Sequence, residues 1–275
     1  MLEDLIGAIR KRQAILFAGA GVSMTVGLPS WQTLIEHIAE ELDVDLSGFS
    51  ESDINYLTLA EFYRIRQGSI GPLRSWMDRN WTIQEDKLKA SRVHELICRL
   101  DFPIVYTTNF DRNLETAFDL HGRDYVKIVN AKDIARIQEG LPQIVKYHGD
   151  FDDDKSIVLA ETDYLDRLSF ESPLDIKFRS DALGKTILFI GYSMTDLNIR
   201  FLMHRLWQTW NGSGYERDRP PSYVFMLRPN PVEEAVLAQW GLRVLTEREC
   251  PPEEALETFL AKLCEAVEDD EGEEA

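Results

Sequence analysis

His148, Asn109, Asp111 and Ser23 are the side chains of this sequence best suited to chemistry, and each stands just behind an apolar run. Gly19-Ala20-Gly21-Val22-Ser23 follows Ala14-Ile15-Leu16-Phe17-Ala18, and Thr107-Thr108-Asn109-Phe110-Asp111 follows Pro103-Ile104-Val105-Tyr106. His148-Gly149-Asp150 follows Gln143-Ile144-Val145-Lys146-Tyr147, and Gly191-Tyr192-Ser193-Met194-Thr195-Asp196-Leu197-Asn198 follows Thr186-Ile187-Leu188-Phe189-Ile190. A glycine turn between strand and helix can offer backbone N–H groups and the positive end of a helix dipole to a phosphate. A histidine of ordinary pKa, about 6.5, can accept a proton near neutrality. An asparagine both donates and accepts without adding charge, which suits it to holding a water.

Each of these residues also has a plainer reading. Asn109 or Asp111 can cap a helix over Arg112 to Leu120, and Asp196 can cap the next one. Gly191 can serve a turn alone, and a lone His148 beside a glycine is commonly just hydrogen-bonded. What favours a shared site is convergence. Ligands of open α/β sheets collect beyond the carboxyl ends of the strands, and all four polar runs fall there.

The elements that must position them are legible from apolar patterning. Strands are expected at 14–17, 103–107, 143–147, 186–190, 223–227 and 243–245, with helices over 196–210, 232–239 and 253–267 separating most of the later ones. A first helix around Leu5-Ile6-Gly7-Ala8-Ile9 leads into the first strand. Another is expected from Pro29 to Leu42, capped by Ser30, with Leu34, Ile35, Ile38 and Leu42 on one face. The fold class is α/β: a Rossmann-like, mostly parallel sheet with helices on both faces. Residues 50 to 98 hold no strand pattern and read as a helical insert, broken by Gly68, Gly71 and Pro72. Its Tyr56, Phe62, Tyr63, Trp76 and Trp81 either fill the insert's own core or form a self-association surface.

Composition narrows the class. The 275 residues, 44% of them hydrophobic, can bury a substantial core. There is no apolar run of about eighteen residues and no basic, apolar leader, so a cytoplasmic protein without a membrane span is expected. A net charge of −18 disfavours direct nucleic-acid binding. Part of it lies in residues 268–275, expected to be an acidic disordered tail behind a domain of 1–267. The three cysteines, Cys98, Cys250 and Cys264, form no Cys-x-x-Cys element, so neither a disulfide framework nor a zinc site is expected.

The four polar runs occur in the order and approximate spacing of the Sir2 (sirtuin) family, which the chain resembles over residues 12 to 245. It looks most similar to the bacterial Sir2-like branch found in antiphage defence systems, as does Gly27-Leu28-Pro29-Ser30-Trp31. The resemblance implies a site for NAD, as substrate. Gly19, Ala20, Gly21 and Ser23 then match the pyrophosphate-binding turn. Asn109 matches the asparagine that contacts the nicotinamide ribose and orders water, Asp111 the aspartate that holds the carboxamide, and His148 the catalytic histidine. Trp31 and Thr108 are expected beside the ligand, and Gly191, Ser193, Asp196 and Asn198 around the adenosine ribose and phosphate. Two departures stand out. The two cysteine pairs of zinc-dependent deacylases are absent, and their Asp-Phe-Arg element is replaced by Ser30-Trp31-Gln32.

The expected activity is hydrolysis of the nicotinamide N-glycosidic bond, giving nicotinamide and ADP-ribose. The alternatives are an NAD-dependent protein deacylase or ADP-ribosyltransferase, and an NAD- or ADP-ribose-binding scaffold without turnover. A dehydrogenase is disfavoured because Met24 occupies the place of the third glycine in Gly-x-Gly-x-x-Gly. A defence role implies regulation, through a homo-oligomer or a partner such as an ATPase, a helicase-like or an Argonaute-like protein.

Overall fold

The computed structural model describes residues 2–29, 31–45, 55–192 and 197–269, the side chains of residues 197 and 198 excepted. Its centre is a seven-stranded sheet of β1 (Ala14–Ala18), β2 (Ile104–Thr107), β3 (Val126–Ile128), β4 (Gln143–Lys146), β5 (Thr186–Ile190), β6 (Ser222–Phe225) and β7 (Leu242–Leu245). The order is β3-β4-β2-β1-β5-β6-β7, and every pairing is parallel. Parallel strands covered on both faces are apolar at nearly every position, and β1, β2, β5 and β6 are buried throughout.

Alternation sends odd and even positions to different layers. Leu16, Val105, Ile144 and Leu188 pack against α1 (Leu2–Arg10), α7 (Arg92–Arg99), α8 (Asn113–Leu120) and α14 (Pro252–Glu268). Ile15, Phe17, Tyr106, Val145 and Phe189 face α11 (Pro173–Leu183), α12 (Leu197–Asn211) and α13 (Pro231–Gln239) on the other side. A third core joins α3 (Trp31–Glu41), α4 (Tyr56–Gln67) and α5 (Gly71–Asn80) through Leu34, Ile38, Tyr63, Leu73, Met77 and Trp81, closed by Phe110 and Phe151. Short helices α2 (Ala20–Met24), α6 (Glu85–Lys89), α9 (Ala131–Ile134) and α10 (Glu161–Arg167) complete the α-helices of the described residues.

Register determines what meets at the carboxyl edge. Ala18 lies opposite both Thr107 and Ile190, and Thr107 lies opposite Lys146. The residues that follow, Gly19, Thr108, Tyr147 and Gly191, therefore leave the sheet side by side. From β1 the chain moves out to β2 and the edge strand β3, inserts β4 between them, and crosses to the other flank at β5. The β1/β5 boundary is thus the switch point where such sheets open a crevice.

The structure differs from the sequence reading in several places. β3 is an added edge strand, too short and too polar to register as a pattern. Gly71 and Pro72 begin α5 rather than merely breaking a helix, since proline suits the first turn. The expected insert ends earlier than residue 98: Val93, Leu96, Ile97 and Cys98 of α7 belong to the sheet's core. Most of the aromatic residues assigned to that segment face inward. Tyr63 and Trp81 are buried and Trp76 stacks on His37 with ring centroids 3.9 Å apart, whereas Phe62 is exposed. The proposed Ser30 cap lies outside the described residues. Helix α14 extends through Glu268, which pairs with Arg99 at 2.7 Å, so the expected tail boundary at 268 falls within ordered helix; residues 270–275 lie outside the described residues.

Candidate functional site

The turns after β1 and β5 are locked together through their backbones. Gly19 N–H donates to the Ile190 carbonyl at 2.9 Å and Gly21 N–H to the Gly191 carbonyl at 3.0 Å. A Cβ on Gly19 would lie 2.5 Å from the Gly191 oxygen, and one on Gly21 2.8 Å from the Gly191 Cα. Gly191 itself has φ +67°, and a Cβ there would meet the Val22 nitrogen at 2.7 Å. Close backbone approach thus accounts for all three glycines. It also engages two of the N–H groups expected to cradle phosphate, leaving Ala20 and Gly21 as the part of the loop that faces the cleft.

The β2 turn is tied to the β1 turn by side chains. Asn109 Nδ2 donates to the Gly19 carbonyl at 3.1 Å and to Ser23 Oγ at 3.3 Å. Asp111 Oδ1 accepts from Ser23 Oγ at 3.1 Å and from Asn113 N–H, the first of α8, at 3.0 Å, while also facing the cleft; the cap position itself is Arg112, whose side chain makes no capping bond. Burial pushes the Asp111 carboxyl above its ordinary range, and the charge of Lys146 opposes that rise. Ser23 is fully buried behind this pair, and neither it nor Gly19 lines the cleft. The Gly19 carbonyl and Ser23 Oγ hold Asn109, and Ser23 Oγ holds Asp111.

His148 is 2% exposed, two residues beyond the end of β4. Its Nδ1 lies 3.5 Å from the Tyr164 hydroxyl, and its buried Nε2 has no hydrogen-bond partner among the described residues. Burial, then the positive charge of Arg167, lowers its pKa to about 3. The ordinary titration near neutrality expected from sequence is therefore replaced by an imidazole that stays neutral. It can accept a proton but holds one weakly.

These groups line a cleft of 1430 Å³ along the carboxyl edge, shared by Ala20, Gly21, Trp31, Thr108, Asn109, Asp111, His148 and Gly191. Trp31 stands at one end with Tyr56 (5.2 Å between ring centroids), Trp81 (5.8 Å) and Phe110 (6.4 Å). The other end runs past Met226, Leu227 and Arg228 behind β6. Thr108 Oγ1 and the Tyr192 hydroxyl, 2.6 Å apart, bridge the turns of β2 and β5. Ser193 and Asp196 lie outside the described residues, as does the Asn198 side chain.

Sequence reasoning missed Lys146, Tyr164, Arg167 and Tyr192. Lys146 did leave a signal, a charged residue inside an otherwise apolar strand run. The other three depend on tertiary approach. Among the described residues there is no group of three or more His, Cys, Asp or Glu that could hold a metal ion, and the three cysteines are free. No described helix is long and apolar enough to cross a membrane.

The sheet order and a cleft at its switch point that carries Asn109, Asp111 and His148 define a nucleotide-type α/β fold. Residues 103–245 match the SIR2-like domain model, and the chain belongs to that family. It is 30% identical over 249 residues to the NAD(+) hydrolase ThsA of Bacillus cereus (strain MSX-D12), covering 88% of this chain and 49% of that protein. It is 25% identical to Defense-associated sirtuin 2 of Bacillus subtilis, over 89% of this chain and 24% of the relative. The chain thus spans about half the length of the first relative and a quarter of the second. A solved structure titled "Structural Basis for the Mechanism and Regulation of Sir2 Enzymes" aligns over 98% of both chains at 12% identity, with a TM-score of 0.48.

Proposed function

We propose that this chain hydrolyses NAD at the nicotinamide N-glycosidic bond. The carrying observation is that a neutral histidine with an unpartnered, buried Nε2 shares one cleft with Asn109 and Asp111 at the sheet's switch point. At 1430 Å³ the cleft exceeds the roughly 300–1,000 Å³ of ordinary small-ligand pockets, which suits a dinucleotide. The names of the relatives agree with this reading.

In the reaction the bond from ribose C1′ to the pyridinium nitrogen breaks, its electron pair neutralising the leaving nicotinamide. Water adds at C1′ and gives up one proton, so the products are nicotinamide, ADP-ribose and a proton. The leaving group is already cationic and needs no acid. The protein's task is to orient the bond and stabilise charge developing on the ribose. The Asn109 amide oxygen, free of partners among the described residues, holds the water or a ribose hydroxyl. His148 Nε2 accepts the proton. Asp111 takes the carboxamide through its second oxygen. Trp31 covers the nicotinamide end, Ala20 and Gly21 face the diphosphate, and Thr108, Gly191, Ser193, Asp196 and Asn198 complete the ribose and adenosine side.

A freely running NAD hydrolase would harm its own cell. We therefore infer a cytoplasmic defence effector restrained by self-association or by a partner such as an ATPase, a helicase-like or an Argonaute-like protein. The test is chromatographic detection of nicotinamide and ADP-ribose from NAD, with wild type beside His148→Ala. Many turnovers by wild type alone support the reading. Release only with an acyl-lysine peptide or protein acceptor would make the chain a transferase or deacylase. Saturable binding without product would make it a sensor.

A further inference from the structure

The most enclosed cation of the described fold lies beneath the cleft. Lys146 ends β4, and its side chain is fully buried. Its Nζ donates to the backbone carbonyl of Asp111. It lies 3.2 Å from Glu115 Oε1 and 3.9 Å from Asp150 Oδ2. Glu115 is itself buried in α8, and neither of its oxygens has a hydrogen-bond partner among the described residues. Its link to Lys146 is thus an ion pair of poor hydrogen-bond geometry. Asp150 has a second cation, Lys127, at 3.3 Å.

Stability alone gives little reason for this arrangement. Desolvating an ammonium and a carboxylate costs several kcal/mol, and well-packed apolar replacements for such a pair are often neutral or stabilising. What an apolar residue could not supply is the bond to Asp111. The turn carrying Asn109 and Asp111 is anchored toward β1 by Asn109 and Ser23. Toward β4, the strand that delivers His148, the Lys146 ammonium adds a side-chain anchor on Asp111 to the backbone bond from Tyr147 N–H to the Thr107 carbonyl at 2.7 Å. Lys146 stands two residues before His148, so one side chain spans the gap between the two halves of the proposed machinery.

We propose that Lys146 is a positioning residue that fixes the Asn109–Asp111 turn relative to His148. This rests on the NAD-cleaving reading. A misplacement of about 1 Å far from the reacting atoms can cost about a hundredfold in rate, which sets the scale of the effect.

The experiment separates positioning from folding. Lys146→Met strands Glu115 without its cation and lowers the thermal midpoint. Lys146→Met combined with Glu115→Leu removes both charges and restores the midpoint. If Lys146 positions the turn, the double variant still shows kcat lowered about a hundredfold, with KM for NAD changed less than about threefold. Amide hydrogen exchange over residues 107–113 also rises, while that of β1 stays as in wild type. Wild-type kcat in the stable double variant, or unchanged exchange in that turn, overturns the inference. A wild-type protein that binds NAD without releasing nicotinamide counts against the hydrolase reading instead. The exchange measurement then still decides whether Lys146 holds the turn.

Discussion

Two buried histidines in this protein share nearly every local property and differ in where the fold puts them. His94 lies in α7, fully buried, with Nδ1 2.7 Å from the Ser91 hydroxyl and Nε2 without a partner among the described residues. His148 is buried to nearly the same degree, and its Nε2 is equally unpartnered. Burial lowers both pKa values, to about 4 for His94, with His121 adding to the effect, and to about 3 for His148. Neither burial nor a shifted pKa therefore distinguishes a reacting group. The difference is that His148 stands two residues beyond β4 at the carboxyl edge and lines the cleft, whereas His94 packs inside the helical layer.

Substitution should separate the pair most sharply in turnover. Removing a general base typically costs about 10²- to 10⁴-fold, and we expect that range for kcat of His148→Ala. His94→Leu should keep wild-type kcat, because its ring bonds to none of the residues placed in the chemistry. Equal losses from both would end the comparison. The pH profile sharpens it further. With His148 neutral in the free protein, kcat/KM should show no acid limb near the ordinary histidine pKa of about 6.5.

In stability the two histidines should behave alike. Each is neutral when folded and protonated below about pH 6.5 when unfolded, so the unfolded chain binds more protons in that window. Their contribution is present in full above about 6.5 and is lost as pH falls toward the folded pKa. Each adds about 1.4 kcal/mol per pH unit to that slope. Denaturant titrations of His94→Leu between about pH 6.5 and 4 should be flatter than wild type by about one proton. The raised carboxyls of Asp111 and Glu115 act in the opposite sense. Because they are common to both proteins, they cancel in the difference.

Legibility from sequence follows the same division between local pattern and tertiary placement. Strands such as Ala14–Ala18 and Thr186–Ile190 are readable because burial on both faces leaves a run of almost wholly apolar residues. The positions of Asn109, Asp111 and His148 at strand ends are readable for the same reason. The protonation of His148 is not, because it depends on how deeply the fold buries it and on Arg167, nineteen residues away on α10. The edge strand Val126–Ile128 carries Lys127 at its centre to meet Asp150 and Asp152, which hides it from any apolar template. The glycine loop is readable as a turn. That Gly19 and Gly21 are dictated by Gly191, from a strand arriving about 170 residues later, is not.

Two glycines of positive φ extend the comparison. Gly68 closes α4 at φ +76° with nothing within 4 Å of where a Cβ would stand, whereas Gly191 at φ +67° is crowded by Val22 and Gly19. Alanine at either site incurs the left-handed strain of about 1–2 kcal/mol. Only Gly191→Ala adds a backbone clash, so its thermal midpoint should fall further than that of Gly68→Ala, with turnover falling as the β1 turn shifts. Equal midpoints would mean that the two turns can separate freely, contrary to the interlock.

The smallest expected effect concerns Tyr192, a cleft residue whose polar atom, unlike His148 Nε2, is already bonded. Its hydroxyl meets Thr108 Oγ1 at 2.6 Å, while its ring packs edge-on against Phe17 at 5.4 Å and Phe189 at 6.1 Å. Phenylalanine preserves the ring contacts and removes the bridge. The net loss should be about 0.5–1.5 kcal/mol, the ordinary worth of one hydrogen bond. Thermal unfolding should register it, and KM for NAD should rise by no more than about tenfold, since the loosened turns border the ligand. A loss of kcat as deep as that of His148→Ala would place the Tyr192 hydroxyl in the chemistry. An unbonded polar atom would then no longer be the mark that separates the proposed reacting group of this cleft from the groups that frame it.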